Sequence, residues 1–285
     1  MCFSGSLKMS KPFLKWAGGK HKLAPIIQAQ LPQARRLVEP FVGSAAISLA
    51  LEFDEYLLND SNPDLIHLYQ TLKQEKQGFI DYAQSFFTPE NNQETRFYDL
   101  RERFNHSDDV AEKSALFVYL NRHAFNGLCR YNSKGWFNVP FGRYKSPYFP
   151  ADEMRDFVAK SDRMMLMCGD FQAAFDLIEH DDAVYCDPPY VPLNETASFT
   201  TYSQGGFAWQ DQLRLLQCVE KSAKKCRGIV LSNHDTPQTR ELYRHAQFIE
   251  NIEVQRNIAA KGSSRQKVGE LLVRWHDVDF CLQAA

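Results

Sequence analysis

The sequence predicts an α/β protein with a seven-stranded, mainly parallel sheet and an inserted helical lobe. Two observations support this prediction. Short apolar β-type runs alternate with helical patterns in both end portions of the chain, whereas residues 62–161 lack that alternation. Strand–helix alternation is typical of parallel sheets, and so long a segment without strands is better explained as a second lobe than as a connection. We therefore assign residues 1–61 and 162–285 to the sheet domain.

The expected strands are apolar runs that end in an acid, a glycine turn or a proline. In chain order they are 36–43, 55–60, 164–170, 182–187 and 227–233, followed by a late pair, 247–256 and 268–275, separated by the polar loop 260–266. Expected helices are 44–51 and 210–225 in the sheet domain and 62–76, 93–104 and 110–123 in the lobe, where a loop rich in Gly, Pro, Asn and aromatic residues follows at 124–150.

Composition excludes several classes of protein. The 285 residues are 44% hydrophobic and 24% charged, which is typical of a folded, soluble chain. No apolar run approaches the roughly 18–20 residues of a membrane span, and the first residues lack an apolar stretch of signal-peptide length. The seven cysteines include no C-x-x-C pair, which argues against a zinc ribbon or a disulfide framework. A cytoplasmic protein without metal or membrane contact is expected.

The charges are unevenly distributed along the chain. Residues 1–38, 113–151 and 254–269 carry seven, six and four Lys or Arg, and no Asp or Glu. One such window arises easily by chance in stretches rich in glycine and aromatic residues. Three of them favour a one-sided positive surface that binds a polyanion.

The first strand runs from Glu39 through Phe41 into a turn at Gly43. Glycine allows a sharp turn and lets a nucleotide approach the following helix. Asp60 ends the next strand, at the position from which a carboxylate binds ribose hydroxyls in nucleotide-binding sheets. The same residue is an equally good N-cap for the helix that follows. These residues alone leave both interpretations open.

Asp187-Pro188-Pro189-Tyr190 is the strongest local motif. It follows an apolar strand, and consecutive prolines have fixed φ angles and no N–H groups. The Asp187 carboxylate and the Pro188 carbonyl can accept the two N–H bonds of an amine on a flat ring, and Tyr190 can stack on that ring. The alternative is a strand end with a proline stop, which requires neither the acid nor the aromatic residue.

The motifs together resemble the adenine-N6 DNA methyltransferases. D-P-P-Y occurs with V-E-P-F-V-G at 38–43 and K-P-F-L-K-W-A-G-G-K at 11–20, and the order of glycine turn, inserted lobe and D-P-P-Y is the alpha-group arrangement. The likeness extends to the bacterial Dam methylases, which modify adenine in GATC. It is strongest in segments 121–132, 137–145, 147–150 and 231–236, and it runs from Lys11 to Leu272.

This resemblance implies a Rossmann-like methyltransferase sheet, S-adenosylmethionine as the cofactor, and double-stranded DNA containing GATC as the partner of a monomeric enzyme. It also implies a place in DNA replication and mismatch repair. The implied catalytic residues are Asp187, Pro188 and Tyr190, and the implied cofactor-binding residues are Trp16, Lys20, Glu39, Phe41, Gly43, Asp60, Asp170 and Asp187. The implied DNA-binding residues are Lys15, Arg122, Phe125, Asn126, Leu128, Arg130, Asn132, Asn138, Pro140, Arg143, Tyr144 and Lys145.

Within the DNA-binding set, Arg130 and Leu128 match the base-reading residues of the family. Lys113, Arg122, Lys134 and Lys145 are interpreted as phosphate contacts. The chain departs from the family at two places. Ser44-Ala45-Ala46 stands where a second glycine is usual, and Phe125 stands where close relatives typically have Tyr. Small residues still permit close approach of a ligand, and wedging between bases needs only a ring.

The expected reaction is direct in-line methylation of adenine N6 after base flipping. Covalent catalysis is disfavoured because no cysteine follows a proline as it does in cytosine-C5 methylases. The alternatives are a D-P-P-Y-type enzyme that acts on another DNA sequence, RNA or a protein amide, and a catalytically silent DNA-binding relative. The intact D-P-P-Y motif and Lys20 argue against the silent relative.

Overall fold

The computed structural model describes residues 9–190, 206–254 and 268–276. In these residues seven strands form one sheet: β1 (Arg36–Glu39), β2 (Glu55–Asp60), β3 (Met164–Cys168), β4 (Asp182–Cys186), β5 (Gly228–His234), β6 (Phe248–Val254) and β7 (Val268–His276). Their spatial order is β3-β2-β1-β4-β5-β7-β6. The five strands β1 to β5 are parallel, and β7 runs antiparallel between β5 and β6. The prediction of a seven-stranded, mainly parallel sheet is confirmed.

The same described ranges contain ten α-helices. They are α1 (Ala24–Gln30), α2 (Ala46–Ala50), α3 (Pro63–Glu75), α4 (Gln77–Gln84), α5 (Glu94–His106), α6 (Val110–His123), α7 (Ala151–Ser161), α8 (Phe171–Asp176), α9 (Trp209–Ser222) and α10 (Pro237–Leu242). All five predicted helices are present. Helices α1, α4, α7, α8 and α10 were not predicted, and four of these have eight residues or fewer, too few for a clear periodic pattern. The loop 260–266 lies outside the described residues.

Both faces of the sheet are covered. Every residue of β4 and β5 is buried, as expected for parallel strands with helices on both sides. Successive side chains alternate between two hydrophobic clusters: Leu37 and Tyr185 pack in one, and Val38 and Val184 in the other. The first cluster continues into helices α3 to α6, so the sheet and the helical lobe share one core. The lobe boundaries at residues 62 and 161 stay a prediction.

The irregular segment 124–150 follows α6 and is tied back to the lobe by side chains. Asn105 of α5 holds both sides of the Phe137 backbone: its Oδ1 accepts from the Phe137 N–H at 2.8 Å, and its Nδ2 donates to the Phe137 carbonyl at 3.2 Å. Isolated β-bridges join Ala124 to Phe141 and Tyr131 to Phe137. A glycine- and asparagine-rich loop is thereby held in one conformation.

The order of the strands sets the position of a ligand site. The chain order reverses between the neighbouring strands β1 and β4, so their connections leave in opposite directions. In open α/β sheets, ligands bind in the crevice at such a switch point, outside the carboxyl ends of the strands. None of the helices in the described part of the chain has the length and apolar character needed to cross a membrane.

Candidate active site

A cavity of about 450 Å³ lies across the carboxyl ends of β1, β2, β3 and β4. One residue from the connection after each strand illustrates its walls: Phe41, Asn62, Asp170 and Pro189. The volume falls within the range of small-molecule sites in proteins. The cavity therefore occupies the crevice that the strand order predicts.

The turn after β1 is built around Gly43 and Asp60. Gly43 has φ of 47°, and a Cβ placed on it would lie 2.8 Å from Nε1 of Trp16. The Asp60 carboxylate accepts from the Gly43 N–H at 3.0 Å and from the Asn62 N–H at 2.9 Å. Burial raises the pKa of Asp60. Three predicted cofactor residues, Trp16, Gly43 and Asp60, are thus brought together.

The N-cap of α3 is Asn62, whose Oδ1 accepts from the Leu65 N–H at 3.2 Å. Asp60 is therefore not the N-cap of α3. Its carboxylate instead links the turn after β1, at Gly43, to the turn after β2, at Asn62.

Glu39 lies beneath the turn and is almost fully buried. Its Oε2 accepts from the Ser48 N–H of α2 at 3.0 Å, and burial raises its pKa to about 8. Ala45, at the start of α2, has φ of 57°, in the left-handed region that glycine adopts most easily. Within the segment Ser44-Ala45-Ala46, this chain thus holds an alanine in a glycine-like conformation.

The D-P-P-Y motif follows β4, and its acid is paired. Lys20 Nζ lies 3.0 Å from Oδ1 of Asp187 and donates to the Gly18 carbonyl at 2.8 Å. The same ammonium lies 4.7 Å from the centre of the Tyr190 ring. Burial raises the pKa of Asp187, and the charge of Lys20 opposes that rise. Lys20, predicted as a cofactor contact, therefore lies beside the D-P-P-Y motif.

Three residues that the sequence did not indicate complete this edge of the sheet. Glu270 of β7 is buried, and its Oε1 lies 3.6 Å from Lys20 Nζ. Gln212 of α9 donates to the Pro189 carbonyl at 3.0 Å and accepts from Asn233 at 3.1 Å. Arg214, also on α9, is the third. The sequence signal available for Gln212 was a glutamine on the apolar face of an amphipathic helix, in line with Leu215 and Val219. Glu270 had no comparable signal in the sequence.

Arg214 closes one side of the cavity. Its two terminal nitrogens lie 2.8 and 2.7 Å from the two oxygens of Asp170, and this pairing lowers the pKa of Asp170. The guanidinium lies 4.3 Å from the centre of the Phe171 ring. Phe41 packs against Phe171 and Phe207, with ring centres 5.3 and 5.7 Å apart. The cavity thus has an aromatic wall next to a fixed ion pair.

The candidate base-reading residue Arg130 lies at one end of a small hairpin. The Asn138 N–H donates to the Arg130 carbonyl at 3.1 Å, and Arg130 Nε donates to Asn138 Oδ1 at 2.8 Å. At the tip, Asn132 Oδ1 accepts from the N–H groups of Lys134 and Trp136. The two predicted asparagines thus shape the hairpin that carries the arginine.

The hairpin is anchored to the sheet side of the lobe. The Tyr131 hydroxyl donates to Asp64 Oδ2 at 2.7 Å, and Lys113 Nζ lies 2.9 Å from Asp64 Oδ1. Asp64, Lys113 and Tyr131 also line the cavity at the strand ends. The hairpin that carries Arg130 and the cavity therefore share a wall.

Five further residues of the predicted DNA-binding set lie together. The Phe125 N–H donates to the Pro140 carbonyl, and the Asn126 N–H donates to the Tyr144 hydroxyl, both at 2.9 Å. Lys15 Nζ lies 4.4 Å from the centre of the Tyr144 ring. The Phe125 side chain is 43% exposed, which is unusual for a phenylalanine and suits a wedge.

The remaining members of the set divide by exposure. Arg143 and Lys145 are exposed and Leu128 is half-buried. Arg122 is buried and donates to the Phe13 carbonyl, so it ties α6 to the amino-terminal segment instead of reaching the surface. The structure therefore places Arg122 in the scaffold, which does not fit the predicted phosphate contact. Burial lowers its pKa.

In the ranges described by the structure, no group of three or more His, Cys, Asp or Glu side chains is arranged to hold a metal ion. The site instead combines a carboxylate at a strand end, a lysine, a tyrosine and a cavity sized for a nucleotide-like ligand. Such a set can bind a small cationic or amine-bearing molecule and hold it in one orientation.

Comparison with known proteins gives the family. Residues 16–258 match the family model of the D12 class N6 adenine-specific DNA methyltransferase. The chain is 50% identical over 268 residues to a DNA adenine methylase of Vibrio cholerae, covering 93% of this chain and 96% of the relative. It is 42% identical over 266 residues to that of Escherichia coli, with 93% and 95% covered. For the Haemophilus influenzae protein the identity is 45% over 266 residues, with 92% of each covered. The chain therefore belongs to the D12 class of N6 adenine-specific DNA methyltransferases and is an enzyme that methylates adenine in DNA.

Proposed function

We propose that this enzyme transfers a methyl group from S-adenosylmethionine to N6 of adenine in double-stranded GATC. The target base is flipped out of the helix, and its amine attacks in line with the departing sulfur. The observation that carries the proposal is the position of Asp187, at the switch point beside the cavity. The resemblance of segment 121–145 to the region of Dam methylases that reads GATC supplies the sequence.

The family implies a methyl donor, and the cavity suits S-adenosylmethionine. The aromatic wall at Phe41 offers a surface for an adenine ring, and Asp60 lies at the end of β2, where a ribose would be bound. Gly43 lets the Trp16 ring pack closely on the turn between them. When bound, S-adenosylmethionine supplies a methyl group that its sulfonium has already activated. Trp16 and Lys20 adjoin this turn and would hold the polar end of the molecule.

The chain's own residues would activate the amine. An adenine amine is a poor nucleophile because its lone pair is delocalised into the ring. Hydrogen bonds from its two N–H groups to Asp187 and to the Pro188 carbonyl would favour a more tetrahedral nitrogen, with the lone pair directed at the methyl group. The carboxylate then stabilises the positive charge that develops on nitrogen.

Flipping the base costs a few kcal/mol of lost stacking and pairing. Stacking of the extrahelical adenine on Tyr190 offsets part of that cost. The exposed ring of Phe125 can fill or wedge the base step that the adenine leaves.

Sequence reading is assigned to Arg130. Its guanidinium fork fits O6 and N7 of guanine, and one such pair is worth about 1–3 kcal/mol of discrimination. Asn138 orients the guanidinium from within the hairpin. The link from Tyr131 to Asp64 fixes the hairpin relative to the cavity.

Expression in a host that lacks adenine methylation tests the proposal. The host DNA is digested with one enzyme that cuts only methylated GATC and another that cuts only unmethylated GATC. The proposal expects cutting by the first, protection from the second, and neither effect with Asp187→Asn. Methylation at another sequence would overturn the assignment of GATC. Methyl transfer by Asp187→Asn at the wild-type rate would overturn the mechanism. Light scattering tests whether the enzyme is a monomer.

A further inference from the structure

Glu270 is a buried carboxylate that the methyl transfer described above does not use. It lies in β7 opposite His234 of β5 and is 6% exposed. Its Oε1 lies 3.6 Å from Lys20 Nζ, and the same ammonium lies 3.0 Å from Oδ1 of Asp187. One ammonium is therefore shared by two carboxylates, one from the middle of the sheet and one from its antiparallel side.

A buried carboxylate is unfavourable unless it has a partner. Burial raises the pKa of both Asp187 and Glu270, and the charge of Lys20 lowers both. One cation beside two acids leaves an excess negative charge at the place where an amine would become positive. Such an arrangement stabilises a developing cation more than a single neutralised pair would.

The pairing with Lys20 has a consequence for Asp187. An ammonium 3.0 Å from Oδ1 draws on the same carboxylate that would accept an N–H bond of adenine. A lysine held by Asp187 alone would weaken that acceptor. A second carboxylate, 3.6 Å from the same ammonium, offsets part of its charge.

We propose that Glu270 is a positioning residue that holds Lys20 between two carboxylates and so keeps Asp187 available for the target amine. This inference rests on the proposed role of Asp187 in binding adenine. We assign Glu270 no contact with adenine or with the cofactor; it acts through Lys20.

A change of charge at Glu270 affects the titratable groups that surround Asp187 and Glu270. The titratable side chains that face Asp187 and Glu270 are Lys20 before α1, Glu39 of β1, Tyr185 of β4, Tyr190 after β4, and His234 of β5. From β6 the neighbour in register is the uncharged Ile252. Removing the negative charge of Glu270 therefore favours ionisation of Asp187 and lowers its pKa.

The test measures single-turnover methyl transfer to duplex GATC DNA across a pH series. In Glu270→Gln, Lys20 has only Asp187 as a charged partner, so the rate at the plateau should fall by about tenfold. The acid limb of the pH profile should move to lower pH. Glu270→Asp keeps the charge and should recover most of the rate. Glu250→Gln changes an exposed glutamate of neighbouring β6 and should match wild type.

A mutant cycle separates positioning from packing. If Glu270 acts through Lys20, Glu270→Gln should have much less effect in a Lys20→Ala background than alone. If Glu270→Gln does not fold, Glu270→Asp takes its place in the cycle. Glu270→Asp should then reduce the methylation rate by a smaller factor than is expected for Glu270→Gln, and only in the background that retains Lys20.

Two results would overturn the inference. The first is a methylation rate of Glu270→Gln within twofold of wild type. The second is a slower rate in which the acid limb of the pH profile does not move and the effects of Glu270→Gln and Lys20→Ala are additive. Asp187→Asn is measured alongside. If it loses activity while Glu270→Gln does not, the inference fails and the proposed function stands. If Asp187→Asn keeps the wild-type rate, the proposed function itself fails.

Discussion

The sheet edge and the helical lobe bury ionisable groups of opposite kinds. At the sheet edge, burial raises the pKa of four acids, Glu39, Asp60, Asp187 and Glu270. In and beside the lobe, burial lowers the pKa of three bases, Lys15, Arg122 and His123, the last to about 4. Both regions place ionisable groups where water would solvate their charged forms poorly.

The difference indicates which ligand each region suits. A buried acid gains most from a cation or an amine, and a buried base gains most from an anion. The sheet edge is therefore suited to a cation or an amine. In the lobe, Arg122 and His123 are buried scaffold groups, so we expect phosphates to be bound by exposed cations such as Arg143 and Lys145. A near-neutral chain can serve both ligands because the two kinds of charge are separated in space.

Replacing the acid at the centre of the sheet edge should give the largest effect. Asp187→Asn preserves shape but removes the charge and adds a donor toward the target amine. We expect turnover to fall by about 10²–10³-fold or more, the scale of a lost electrostatic contact in the transition state, with DNA affinity largely kept. Rapid-quench methylation and fluorescence anisotropy measure the two quantities.

The matched control is Asp181→Asn, an exposed acid that pairs with Arg227 just before β4 begins. It should methylate at the wild-type rate. If both variants lost activity equally, the two ends of β4 would not differ in function. That result would contradict the catalytic role of Asp187.

The second prediction concerns pH and stability. Glu39 has a pKa of about 8 in the folded chain against an ordinary value of 4.5. From pH 4.5 to 8 the unfolded chain releases this proton and the folded chain keeps it, so this group makes stability fall as pH rises. Glu39→Gln removes that dependence. The loss of unfolding free energy between pH 5 and 8 should shrink by at least about 1.4 kcal/mol, the value of one pKa unit.

Urea unfolding at the two pH values checks this result. Glu55→Gln in β2, an acid on a neighbouring strand whose side chain is 45% exposed, serves as the comparison and should leave the dependence as it is. Identical slopes for Glu39→Gln and wild type would show that the carboxyl is not held protonated by the fold.

Sequence patterns predicted the sheet edge well because its signals are local. An apolar run that ends in an acid predicts the strand and also identifies the residue at the carboxyl end of that strand, as at Asp60 and Asp187. Glu270 could not be found in this way. It reaches the site through the antiparallel register of β7 on β5, which pairs residues 36 positions apart, His234 and Glu270. Register of that kind is set by tertiary packing.

The lobe was harder to predict because its charges do not reveal their burial. Helix α6 is buried along its whole second half, so Arg122 is enclosed although its sequence neighbours resemble a DNA-binding segment. The tie between Tyr131 and Asp64 likewise joins residues far apart in sequence. The motif predicts a DNA-binding segment, but only the packing separates the surface residues of that segment from its scaffold residues.

Within the lobe, the third prediction separates reading from affinity. Arg130→Ala should reduce discrimination at the guanine of GATC by about 1–3 kcal/mol while the salt dependence of binding stays nearly unchanged. Lys134→Ala, at the exposed tip of the same hairpin, should weaken all duplexes alike. Methylation rates on GATC and on its first-position variants decide between them. Equal discrimination by wild type and Arg130→Ala would remove the reading role.

The smallest effect is expected at Arg143, the most exposed arginine of the DNA-binding set. Its side chain is 75% exposed and lies 3.2 Å from Glu94, and exposed pairs of this kind contribute about 0–1 kcal/mol to stability. Arg143→Gln should therefore leave the melting temperature nearly unchanged. On DNA the guanidinium would exchange Glu94 for a phosphate, so the variant should bind every duplex more weakly and lower the salt slope by about one.

Glu94→Gln is the counterpart of that variant, because it releases Arg143 without removing it. DNA affinity should stay the same or rise slightly, and the salt slope should be kept. Binding isotherms at several salt concentrations, with GATC and non-GATC duplexes, measure both variants. A loss confined to GATC would mean that Arg143 reads a base. The lobe would then contain a second sequence-reading arginine, and its division into one reading residue and several phosphate contacts would have to be redrawn.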